Sequence, residues 1–185
     1  MAQKRPGTSE ESHIDIIPLG AVDEVAVSVV AANLQTLMGL NAATLPPHPE
    51  PEYAYLALRS QYAAGEIIKA LASIDGGARF RLGIVECDLC TPILKFVFGE
   101  SQLGGKAAVV SLHRLRGEDL AGTYLRAAKI SLHEAGHLLG IGHCRTQCLM
   151  AFVGSIEKLD ALPLRFCTAC RYEISRSLRH VFGPV

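Results

Sequence analysis

The sequence predicts an α/β fold with a largely parallel sheet, and three observations carry that expectation. Short apolar runs rich in β-branched residues, at 14–19, 40–45 and 79–85, alternate with two longer stretches of helical periodicity, a β-α-β-α-β order. Each helical stretch ends at glycine, which stops a helix without a Cβ penalty. The 185 residues are 49% hydrophobic and 19% charged, enough to build one ordinary core.

In chain order, residues 1–13 are polar, contain Pro6 and Gly7, and read as a flexible arm. Residues 14–19 fit a buried strand, with Pro18 marking its end or a sheet edge. Val22, Val25, Val29, Leu34 and Leu37 space a helix over 21–38, stopped by Gly39. After a second strand over 40–45, Pro46, Pro47 and Pro49 forbid regular structure and leave His48 in a loop, where it reads as solvated. A second helix over 59–74 ends at Asp75-Gly76-Gly77, and residues 79–85 make the third strand. Phe96, Val97 and Phe98 suggest a short or bulged strand broken by Gly99.

Residues 106–112 form a further strand with small side chains. It reads equally as an edge that clamps substrate or as a strand inside the sheet. Glu118 and Asp119 suit the positive end of the next helix, which runs through Leu139 and includes the interior glycines Gly122 and Gly136. A glycine among chemically active residues suggests close backbone packing or room for a substrate.

That helix carries the chemistry. In HEAGHLLGIGH, His133 and His137 lie four apart, so both imidazoles share one helical face about one turn apart. His143, six residues on, would point roughly 240° away if the helix continued, but Gly140 can take the left-handed conformation and turn the chain back. Three imidazoles with an open fourth position make a catalytic zinc site, and Glu134 beside the first is placed to act as general base. HExxHxxGxxH followed by a Met-turn is the metzincin signature, with Met150 the candidate turn residue.

Cys144 and Cys148, then Cys167 and Cys170, form two short-spaced pairs about twenty residues apart, the pattern of a closed four-cysteine structural zinc. Cys87 and Cys90 are a third CxxC, so spacing alone permits other pairings. The later four are preferred because Cys144 and Cys148 must lie near the catalytic helix; Cys87 and Cys90 read as reduced thiols. Arg165, Arg171, Arg176, Arg179 and His180 make a basic tail, read as a solvated helix face because no aromatic ladder accompanies it.

Lys plus Arg equals Asp plus Glu, 18 against 18, so no global field recruits nucleic acid or an anionic membrane. No apolar run reaches membrane-spanning length and the N-terminal residues show no apolar signal stretch, from which a cytoplasmic location is expected.

HEAGHLLGIGHC, then Cys148-Leu149-Met150, then Cys167 and Cys170, together with FVFGESQLGGKAAVVSL, resemble the archaemetzincins, over at least residues 96–170. The resemblance implies a metzincin-like twisted mixed β-sheet with a backing helix, an active-site helix, an antiparallel edge strand over the cleft, and a small zinc-bound C-terminal subdomain. On that pattern residues 14–143 form a catalytic N-terminal subdomain and 144–185 a C-terminal one holding the Met-turn and the four-cysteine site. The resemblance further implies two zinc ions per chain: a catalytic one on His133, His137 and His143 with Glu134 as base, and a structural one on Cys144, Cys148, Cys167 and Cys170. The chain departs from the family in having three residues, not four, between Cys144 and Cys148. Phe152 stands where astacin-like relatives place a tyrosine ligand, so no such ligand is expected. The expected activity is zinc-dependent peptide-bond hydrolysis by a monomer acting on peptide or protein, with no nucleic-acid or membrane partner. The alternative is a weakly or non-hydrolytic, zinc-stabilised peptide-binding protein.

Overall fold

A computed structural model describes residues 13–183; the arm expected over 1–13 lies, His13 apart, outside the described residues. The first strand, β1 (Ile14–Leu19), is buried along its whole length, which matches its nearly continuous apolar sequence. Helix α1 (Glu24–Asn33) starts at Asp23, whose carboxylate accepts from the amides of Val25 and Ala26 at 2.8 and 3.2 Å. A wider helical turn (Leu34–Met38) continues it to Gly39, at φ 73°, and leads into β2 (Ala42–Thr44). Short strands β3 (Tyr55–Leu56) and β4 (Gln61–Ala63) precede α2 (Ala64–Ala72). Then follow β5 (Phe80–Val85), β6 (Leu89–Cys90), β7 (Gly99–Ser101) and β8 (Ala107–Ser111). Three helices complete the chain: α3 (Leu120–Leu138), α4 (Ile156–Ala161) and α5 (Thr168–Phe182).

The main sheet is mixed, in the order β2-β1-β5-β8-β7, with β7 alone antiparallel to its neighbour. Alternate side chains serve two layers. Ile14, Ile16, Leu82, Ile84, Ala108 and Val110 pack with α1 and α3 on one face, while Ile17, Leu19, Val85, Ala107 and Val109 pack with α2 on the other. The smaller sheet, β3-β4-β6, lies beside the second layer.

Several expectations change. Pro18 does not put β1 at an edge; β2 stops opposite Ile16, and beyond it the amide of His48 bonds to the Pro18 carbonyl, so the missing proline donor falls where no strand partner needs it. His48 keeps its exposed side chain but pairs through its backbone. The second helix starts at Ala64, not at 59, because Arg59 turns outward and its guanidinium donates to the carbonyls of Thr91, Leu94 and Lys95. Gly99 begins a strand instead of breaking one, and the strand near 106–112 lies inside the sheet, between β5 and β7. The rim is therefore β7.

Candidate active site

Helix α3 is capped by Asp119, which accepts from the amides of Ala121 and Gly122 at 3.0 and 2.9 Å, and it presents His133 and His137 on one face. His133 Nδ1 lies 2.6 Å from the Leu149 carbonyl and His137 Nδ1 2.7 Å from that of Ile141. A carbonyl can only accept, so each Nδ1 carries the proton and each Nε2 keeps a lone pair. Those Nε2 atoms stand 3.0 Å apart. Burial depresses the His133 pKa to about 4 and lowers that of His137, which holds both rings in the neutral form a metal requires.

The helix ends as expected. Gly140 takes φ +82° and its amide bonds to the His137 carbonyl, and the chain reverses to bring the His143 ring to 5.3 Å from His133 and 4.9 Å from His137. The donor atoms of the three imidazoles lie within 4.8 Å of one another. Two neutral imidazoles facing each other lone pair to lone pair repel unless a cation sits between them, so this donor set fits a metal ion.

Glu134 is buried, 5% exposed, beside this cluster. The Ser101 hydroxyl on β7 donates to its Oε2 at 2.6 Å, and burial pushes the carboxyl up to about 8 against the lowering effect of that bond. A Cβ at Gly99 would fall 2.8 Å from Glu134 Cγ and 2.9 Å from Oε1, so the strand can approach this close only with glycine there. Gly136 has a similar cause: a Cβ would collide with Sδ of Met150 and stand 2.8 Å from its Cε. The thioether thus packs on the helix backbone between the two helical histidines. The interior glycine serves packing.

Beside the cluster opens a cleft of about 480 Å³, bounded on one side by β7 and the segment from Leu94 to Phe98 and on the other by Phe152 to Gly154. Phe152, 58% exposed, meets His143 edge-on with ring centroids 5.4 Å apart.

The four later cysteines also converge. Their sulfurs lie within 4.8 Å of one another, with Cys144 Sγ and Cys167 Sγ 3.9 Å apart. Sulfurs at about 2.3 Å from a tetrahedral ion stand about 3.8 Å apart, whereas a disulfide needs about 2.05 Å, so this spacing fits a metal. Amide donors already point at the sulfurs: Cys167 N to Cys148 Sγ at 3.2 Å and Cys170 N to Cys167 Sγ at 3.5 Å. The three-residue spacing between Cys144 and Cys148 therefore still brings both sulfurs to the cluster. Cys87 and Cys90 belong to neither group, and burial pushes the Cys87 thiol up to about 12. On α5 the basic residues face outward, Arg176 to Glu173 and Arg179 to Ser175.

Ser101 did not stand out in the sequence, Gly99 read only as a strand breaker, and Phe152 only as the residue in place of a tyrosine ligand. The first two had a faint signal, since residues 99 and 101 of a strand share a face. Lys129 gave none: on α3, it donates from its Nζ to the carbonyl of Leu159 at 2.9 Å, tying the helix to α4.

A mixed α/β fold with a three-histidine cluster able to hold a metal at the mouth of a cleft defines a class of protein, the zinc metallopeptidases. The chain belongs to Peptidase family M54, whose sequence model matches residues 50–176. It is 35% identical over 161 residues to the archaemetzincin of Archaeoglobus fulgidus, covering 87% of this chain and 98% of that one. It is likewise 35% identical over 164 residues to the archaemetzincin of Methanocaldococcus jannaschii, covering 85% and 89%. The crystal structure of the Methanopyrus kandleri archaemetzincin superimposes with a TM-score of 0.81 at 30% identity, over 92% of this chain and 98% of that one. Among the described residues no helix is long and apolar enough to cross a membrane.

Proposed function

We propose that the chain hydrolyses peptide bonds in the cleft beside β7, with His133, His137 and His143 holding a catalytic zinc and Glu134 acting as general base. The observation that carries this reading is the pair of Nε2 lone pairs 3.0 Å apart, each fixed by a carbonyl on the far side of its ring. Zinc held by these three residues would supply a Lewis acid for the scissile carbonyl and would lower the pKa of a water bound to it. Glu134, buried beside the histidines, would take the proton of the attacking water as its oxygen bonds to the scissile carbonyl carbon, and would return that proton to the amine as the C–N bond breaks. Met150, packed on Gly136, forms the turn that supports the histidines from below.

Cys144, Cys148, Cys167 and Cys170 hold a second, structural zinc, for two ions per chain. On this division residues 14–143 form the catalytic subdomain and 144–185 a C-terminal one that the cysteines close. The substrate is a peptide or protein segment, extended along the cleft with β7 as the free edge for backbone pairing.

The test is Glu134→Gln in the zinc-loaded chain against a panel of peptides. Turnover is expected to fall about a thousandfold, within the range of a lost general base, while zinc per chain stays unchanged. Hydrolysis at the wild-type rate in that variant overturns the assignment.

A further inference from the structure

Side chains of β7 alternate, so residues 99 and 101 share the face that meets α3. Both touch Glu134, in complementary ways. At 99 the absence of a Cβ makes room: Oε1 and Cγ occupy space that any larger side chain would take. At 101 the hydroxyl reaches across to Oε2 at 2.6 Å, within the range of a charge-assisted hydrogen bond. Among the described residues, no other hydrogen bond reaches this carboxyl. A glutamate side chain loses roughly 1.5–2 kcal/mol of rotamer freedom when it is fixed, so a single orientation requires a partner that selects it.

We propose that Ser101 is a positioning residue for Glu134. Its hydroxyl, carried on the sheet edge and not on the helix, holds Oε2 while the bare Cα of Gly99 receives Oε1. The carboxyl plane is thereby set before substrate arrives, and the proton is taken and returned from one orientation. The edge strand that bounds the cleft is also the strand that aims the base, so peptide bound along β7 lies in register with the carboxyl. Ser101 is half-buried on a strand edge and its hydroxyl bonds to Glu134, so replacing it by alanine is expected to leave the fold intact.

This inference rests on Glu134 being the base, and the experiment separates the two. Full-length zinc-loaded wild type, Ser101→Ala, Ser101→Thr and Glu134→Gln are assayed for peptide hydrolysis with kcat and KM measured separately, and wild type and Ser101→Ala are crystallised. Ser101→Ala is expected to lower kcat about tenfold, equivalent to about 1.4 kcal/mol, with KM within about twofold and zinc content and Tm unchanged. Ser101→Thr, which keeps a hydroxyl, is expected to recover most of the loss. In the Ser101→Ala crystal the Glu134 carboxyl is expected to leave its wild-type place. A kcat for Ser101→Ala within twofold of wild type, failure of threonine to recover it, or a carboxyl that superimposes on wild type overturns the inference. Wild-type turnover in Glu134→Gln defeats the base assignment instead, and the crystallographic comparison then still decides whether Ser101 orients the carboxyl.

Discussion

The histidine cluster and the cysteine cluster are built from one stretch of chain yet differ in every physical respect that matters. The histidines are graded in exposure, His133 buried, His137 half-buried and His143 exposed, and they open onto the cleft. Cys148 and Cys170 are buried, and four sulfurs close the second cluster on itself. Three donors with an open side suit chemistry, whereas four donors without one suit structure. The two are coupled through the short turn between them: the Leu149 carbonyl that fixes His133 lies between Cys148 and Met150, and the Met150 carbonyl accepts from Cys144 N at 2.7 Å. The turn that sets Leu149 against His133 is therefore also tied to Cys144.

The strongest way to break that picture is the Cys167→Ser, Cys170→Ser double variant. Zinc per chain is expected to fall from two to one. Several kcal/mol of folding free energy go with it, on the order of a 10 °C drop in Tm, and the remaining site should release zinc to a chelator faster as Leu149 loosens. Retention of two ions and wild-type Tm would show that the cysteines do not hold a metal.

A smaller effect separates two glycines of the same helix. Alanine normally stabilises a helix interior by up to about 1 kcal/mol over glycine. At Gly122, where the nearest atom to a new Cβ is Asp119 Oδ2 at 3.4 Å, Gly122→Ala is expected to leave stability unchanged or raise it. At Gly136 the new methyl drives into Met150, and Gly136→Ala is expected to lose about 1–2 kcal/mol net, with weaker zinc retention, in paired thermal melts.

The smallest effect sits on the far side of α3. Arg126 clasps Asp160 through two bonds of 2.7 and 2.6 Å and holds its carboxyl below the usual 3.8. A depressed carboxyl gives stability that is present above the unfolded value and lost as pH falls through the folded one, so this pair contributes at neutral pH and its contribution disappears below about pH 4. Because Asp160 is 46% exposed, Asp160→Asn is expected to cost about 1 kcal/mol or less at neutral pH and to flatten the acid limb of a stability–pH curve, with peptide turnover unaffected.

The sheet and its helices were legible where periodicity was clean. Residues 14–19 and 80–85 are strands buried on both faces, and the α3 motif was readable since His133, His137, Gly140 and His143 act through local geometry. What escaped were features that depend on partners distant in sequence. Residues 59–63 look helical in isolation, but Arg59 finds three carbonyls some 32 to 36 residues away and Tyr62 pairs with Leu89. The sequence left the rim undecided between two readings of residues 106–112 for a similar reason. GES is too short to read as a strand, and only its pairing with residues 108–110 reveals it. The basic residues of α5 read correctly as an outward helix face, whereas its inward face of Cys170, Ile174, Leu178 and Val181 was not singled out.

His143 and Cys144 are neighbours along the backbone but serve different clusters. One peptide bond thus separates a ring that looks into the cleft from a sulfur that looks away from it. Adding or removing one amino acid between Gly140 and His143 would displace that ring and the sulfur beside it together, whereas the stretch from Arg145 to Gln147 closes the cysteine cluster with three residues where the archaemetzincins place four.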